Sequence, residues 1–177
     1  WHGYAVFTAE RNVDLTIHPR FSARSNKVAG KRWGDSTGWS ARLVLTSRSA
    51  VDRQNTLGMA TDASEGWDRH DNVEPPGIGD FIKTYFAPPN EGEFPVDRLS
   101  ADIRPVSDGA TWQLRAGSSH PGEMLRVTLD DIDIPEIMEV ALFDLYSGAR
   151  SDLRRAEGYS FRAQRDRSFR LIVGSQE

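Results

Sequence analysis

Cysteine is missing from all 177 residues, which excludes disulfide staples, thiolate metal sites and a cysteine nucleophile together. No apolar run approaches the ~20 residues of a membrane-crossing helix, so membrane insertion is not expected. A basic excess is also lacking. Lys and Arg number 22 against 26 Asp and Glu, a net charge of −4, and nucleic acid is therefore not an expected partner. Histidine is scarce, and none of His2, His18, His70 and His120 has a second histidine at metal-ligand spacing. His70 is expected to be an exposed polar residue. Ser119 and His120 are adjacent, and neighbours in an extended turn are expected to point apart, which excludes a nucleophile–base pair. No Gly-x-Ser-x-Gly elbow or phosphate loop occurs.

What the chain has is alternation. Trp39, Ala41, Leu43 and Leu45 share one parity, as do Trp112, Leu114 and Ala116, and Leu125, Val127 and Leu129. Tyr159, Phe161 and Ala163 repeat the pattern, and Phe169, Leu171 and Val173 close it. Period two predicts half-buried strands, and Asp108-Gly109, Pro121-Gly122, Ser147-Gly148 and Glu157-Gly158 fall between them as turns. Helix signals are poor, the best being the short run 151–157. These patterns predict an all-β fold: an antiparallel two-sheet β-sandwich, immunoglobulin-like or jelly-roll-like, of roughly 9–11 strands. Trp39 and Trp112 follow the alternation and are assigned to the core.

Residues 62–98 break the rhythm. Pro75, Pro76, Pro88, Pro89 and Pro95 lie there with nine acidic side chains, and within them Phe81–Phe86 reads as one strand. This stretch is expected to be an ordered Pro-rich acidic crossover between an N-terminal half (1–60) and a C-terminal half (99–174) of one domain spanning 1–177. Because the chain opens on Trp1, it is expected to be a piece of a larger protein.

Three clusters are candidate sites. Asp62, Glu65, Asp68 and Asp71 offer spaced oxygens on a Gly-containing loop, a donor set that suits Ca²⁺, although the spacing is not that of an EF-hand. No other cofactor is expected. Trp1, Trp33 and Trp67 are candidate ligand platforms, since sugar rings stack their apolar faces on indole rings. Between Arg150 and Arg170 seven arginines face three acids, so that stretch is about +4 in an acidic chain. Arg162, Arg165, Arg167 and Arg170 are candidate partner contacts, with Arg162 and Arg170 expected to form a basic stripe on one sheet. Asp130, Asp131 and Asp133, or Asp62, Asp68 and Asp71, are carboxylate sets from which a glycoside hydrolase could draw its pair.

Several segments carry a family resemblance: Leu57-Gly-Met-Ala60, Ala63-Ser-Glu-Gly-Trp-Asp68, Glu74-Pro-Pro76, Lys83-Thr-Tyr-Phe86 and Leu99-Ser-Ala-Asp-Ile-Arg104. Leu142-Phe-Asp-Leu145, Tyr159-Ser-Phe161 and Arg167-Ser-Phe-Arg-Leu-Ile-Val-Gly174 continue it. In that order, residues 39–174 resemble a non-catalytic β-sandwich module found near the C-terminal ends of large secreted or cell-surface bacterial proteins. The resemblance implies an extracellular accessory module, not an enzyme, whose partners are other domains of its parent protein or surface glycans. The alternative from the residues alone is a small polysaccharide hydrolase using paired carboxylates.

Overall fold

The computed structural model describes residues 38–88, 96–130 and 132–175. These form eleven strands and, among the described residues, no helix. In chain order they are β1 (Trp39–Thr46), β2 (Val51–Ala60), β3 (Asn72–Val73), β4 (Ile82–Ala87), β5 (Leu99–Pro105) and β6 (Gly109–Ser118). They continue as β7 (Met124–Asp130), β8 (Met138–Asp144), β9 (Arg150–Asp152), β10 (Tyr159–Arg162) and β11 (Arg167–Ser175). The all-β class and the strand number agree with the alternation. The expected helix candidate at 151–157 is instead the end of β9 followed by a turn.

Hydrogen bonding joins all strands into one sheet, in the order β10-β7-β1-β2-β5-β4-β6-β11-β8-β9, with β3 beside β5. The sheet is mixed rather than purely antiparallel, because β2 and β5 run parallel from Thr56↔Ala101 to Ala60↔Pro105. Parallel neighbours need a crossover, and residues 61–98 supply it.

Between β4 and β5 the sheet is held by a single pair, Phe86↔Leu99. This seam separates an arm of six strands, β3 included, from an arm of five, and the two bend toward each other and share one core. Trp39 of β1 meets Trp112 of β6 edge to face at 5.9 Å, and Phe161 of β10 meets Phe169 of β11 at 4.9 Å. Leu43, Leu57, Leu99, Leu114 and Leu171 fill the space between, each fully buried. Both tryptophans are therefore core, as their parity predicts.

One end of the core holds an ion pair. Asp144 and Arg167 are 1% and 7% exposed, bound through Arg167 Nε to Asp144 Oδ1 at 3.1 Å and again through Nη2 to Oδ2. Tyr159 Oη donates to Asp144 at 2.7 Å and Ser147 Oγ at 2.8 Å. The guanidinium carbon lies 4.9, 5.3 and 5.9 Å from the ring centroids of Tyr146, Phe161 and Phe169. Burial opposes ionisation of Asp144. The bonds from Arg167, Tyr159 and Ser147 outweigh it and hold the carboxyl well below the usual carboxylate range.

This corrects the assignment of Arg167 as a partner contact. Its parity is that of Phe169 and Leu171, so it points inward. The basic stripe dissolves as well: Arg162 lies on β10 of one arm and Arg170 on β11 of the other, and these strands are not neighbours. Arg162, Arg165 and Arg170 are exposed.

Candidate functional site

A groove opens at the seam, and its origin lies in a bulge. Leu43 pairs with Asn55 and Leu45 with Asp52, so β2 spends one extra residue against β1. The bulge puts Asp52 and Asn55 on the same inward face despite their odd spacing of three. Across the seam, Thr84 of β4 faces inward beside Phe86. The Asp52 carboxylate ties these groups together, accepting Thr84 N–H and Asn55 Nδ2, both at 2.8 Å, and Gln54 N–H at 3.1 Å. A side chain thus satisfies a strand N–H that β5 does not reach.

The 74–77 segment crosses in front of this cluster and is fixed to the sheet by Glu74 N–H donating to Arg98 O at 3.1 Å. Together with β2 and β4 it encloses a groove of about 250 Å³, whose lining includes Val51, Asp52, Glu74, Pro75, Phe81 and Lys83. Gly77 permits this closeness: a Cβ there would sit 2.7 Å from the Phe81 ring. Val51, strongly exposed, adds apolar surface at the rim.

Glu74 is the unusual group. Its Oε2 is buried with no hydrogen-bond partner among the described residues, and so are Asn55 Oδ1 and Thr84 Oγ1. Burial pushes the Glu74 carboxyl up to about 7, and the nearby negative charge of Asp52 adds to the shift. Lys83 and Arg98 oppose it without cancelling it. Lys83 itself lies 5.0 Å from the Tyr85 ring centroid and 5.5 Å from that of Phe81. The arrangement can hold a neutral or hydroxyl-bearing group against a carboxyl that is protonated over part of the physiological pH range. Asp52 has committed both oxygens to the fold, so only Glu74 retains a free one.

The acidic loop is drawn together but satisfied from within. Asp68 accepts Ser64 N–H and His70 N–H, both at 2.7 Å, and Asp71 accepts Asp68 N–H at 3.0 Å and Ile103 N–H at 3.2 Å. Asp62 pairs with Arg69 and, at 3.1 Å, with His70 Nε2. Glu65 is exposed. Among the described residues no three His, Asp or Glu gather as metal ligands would. The carboxylates build the loop and seat it on β5. Burial pushes Asp71 up to about 6 despite its two backbone bonds.

His70 corrects another expectation, since it is 5% exposed rather than a surface residue. So does the Ser119–His120 pair. His120 N–H bonds Ser118 Oγ at 2.9 Å, and this curl brings Ser119 Oγ to 3.2 Å from His120 Nδ1, with Asp80 3.6 Å beyond Nε2. The chain of three is open to water, with His120 60% and Asp80 84% exposed, and Ser119 Oγ–H is directed to Phe81 O. Of the remaining carboxylate set, Asp130 pairs with Arg53 at 3.3 Å, and Asp131 lies outside the described residues.

Trp67 is 38% exposed on the acidic loop, whereas Trp1 and Trp33 lie outside the described residues. Sequence reasoning passed over Asp52, Asn55, Glu74 and Thr84. The one signal was Glu74 standing directly before Pro75-Pro76, where a rigid turn can press a side chain inward. No family model, curated protein or solved structure matches this chain.

Proposed function

We propose that this chain is a non-catalytic accessory module of a secreted or cell-surface protein, making contact with a surface glycan or a neighbouring domain of its parent. The observation that supports it best is the seam groove. It offers an apolar rim at Val51, Pro75 and Phe81 around one carboxyl that the protein leaves without a partner. Such a recess is built to receive a group, since a buried polar atom without a partner costs about 1–3 kcal/mol until something bonds it. Cleavage needs a second reactive group, and Asp52 is already occupied by three donors.

The test is thermal unfolding of the wild type and Glu74→Gln against a panel of soluble polysaccharides. A ligand present at a hundred times its Kd stabilises the fold by about 2.7 kcal/mol. A midpoint rise in the wild type that is lost in the variant supports the groove as the contact. No rise with any polysaccharide removes the glycan half of the reading.

A hydrolase is the second reading, and one observation favours it: Glu74 is raised to about 7 beside another carboxylate, as a general acid requires. Release of new reducing ends from any polysaccharide of the panel, abolished by Glu74→Gln, would establish it in place of the first.

A further inference from the structure

The outward face of the second arm carries a row that the groove does not use. Gln113 on β6 stands opposite Arg170 on β11, Arg170 opposite Phe143 on β8, and Phe143 opposite Arg150 on β9. Neighbouring strands are about 4.8 Å apart, so the two arginines leave the backbone about 10 Å from each other with the ring between them. Arg150 Cζ lies 5.8 Å from the Phe143 ring centroid. Arg115 faces Ser168, which places it diagonally beside Arg170 on the same face. Arg115, Arg150 and Arg170 are exposed and Phe143 is half-buried. Among the described residues neither Arg115 nor Arg170 has a carboxylate within ion-pair distance. Arg150 is paired with Glu139.

From this row we infer that the face binds an acidic polysaccharide, one sugar lying on Phe143 with the acid groups of the polymer taken by Arg170 and Arg115. A sugar ring presents an apolar face that an aromatic ring covers, and a guanidinium fork matches the two oxygens of a carboxylate or sulfate. The face is an open run of adjacent strands, which suits an extended polymer. Its cations stand out in a chain whose net charge is −4. The inference rests on the glycan-contact reading above and names its ligand class, but at a surface separate from the groove.

Affinity electrophoresis in gels containing polygalacturonate, dextran sulfate or neutral dextran tests it, with thermal midpoints to verify folding. Retardation is expected in an acidic gel and not in dextran. The uronate and sulfate arms identify which acid is read. Arg115→Gln with Arg170→Gln should weaken binding at least tenfold, and Phe143→Leu, which keeps the apolar packing, several-fold. Arg162→Gln on the opposite arm should bind as wild type. Absence of retardation in both acidic gels overturns the inference. So does retardation unaffected by Phe143→Leu, which would mean attraction by charge alone. Loss of binding in Glu74→Gln alone moves the glycan contact to the groove, sinking this inference while the reading of function stands.

Discussion

The carboxylate of Asp52 on β2 accepts the backbone N–H of Thr84 on β4 at 2.8 Å, across the seam where the sheet is joined by the single pair Phe86↔Leu99. A side chain does there what a neighbouring strand does elsewhere. Asp52→Ala leaves the N–H of Thr84 and the amide of Asn55 without acceptors in a buried setting. The expected loss is about 1–3 kcal/mol per orphaned group. Asp52→Asn keeps one acceptor oxygen and should cost less. Urea unfolding of the two variants measures the difference, and equal midpoints would refute the bridging role.

Stability should fall as pH rises toward neutrality. Glu74 is raised from 4.5 to about 7 and Asp71 from 3.8 to about 6, so the folded state holds their protons more tightly than the unfolded chain. Their contribution is fully present below the unfolded values and is lost as pH rises through the folded ones. The thermal midpoint is expected to drop between about pH 4.5 and about pH 7. Glu74→Gln, a permanent mimic of the protonated form, should flatten about half of that drop and be more stable than wild type above pH 7. A wild-type midpoint flat across this window would contradict the placement of both carboxyls.

At the acid end the sign reverses. Asp144 is held below its ordinary range, so its contribution is present above the unfolded carboxylate value and disappears as pH falls further. Removing either member of its buried pair should be severe: Asp144→Asn or Arg167→Met is expected to cost about 3–5 kcal/mol. The double substitution Asp144→Leu with Arg167→Met should cost less than the sum of the singles, because no charge is left stranded. Additive losses in guanidinium unfolding would show that the pair is not coupled.

Gly77→Val brings a Cβ to 2.7 Å from the Phe81 ring and forces that ring out of the groove. The expected overpacking cost is about 1–3 kcal/mol. The ring protons of Phe81 should shift in the NMR spectrum while those of Phe161 and Phe169 stay in place. Unmoved Phe81 signals would mean the 74–77 segment yields instead.

Much of this fold was readable from parity. β1, β6, β7, β10 and β11 each bury one face and expose the other, which leaves a period of two in the sequence. β5 was not readable that way, because Leu99 to Ile103 are all buried, on both faces of the strand. β2 was hidden by its bulge, which shifts the parity between Asp52 and Asn55. Parity also spoke correctly for Arg167 and was overridden by its place in an arginine-rich run, whose other exposed members suggested surface. The groove left only the Glu74-Pro75-Pro76 signal in the sequence. Its carboxyl becomes unusual only when three segments distant in sequence close around it.

β11 is the last of the described strands yet sits in the middle of its arm, between β6 and β8. Until residues 167–175 are in place, β6 and β8 each have an unfilled flank and Asp144 has no guanidinium. Assembly of that arm must wait until residues 167–175 are synthesised, and long-range pairing of this kind is slow, on the order of milliseconds to seconds. A chain cut short before Arg167 does not lose a fringe. It becomes two open edges searching for a strand, and the nearest one belongs to another copy.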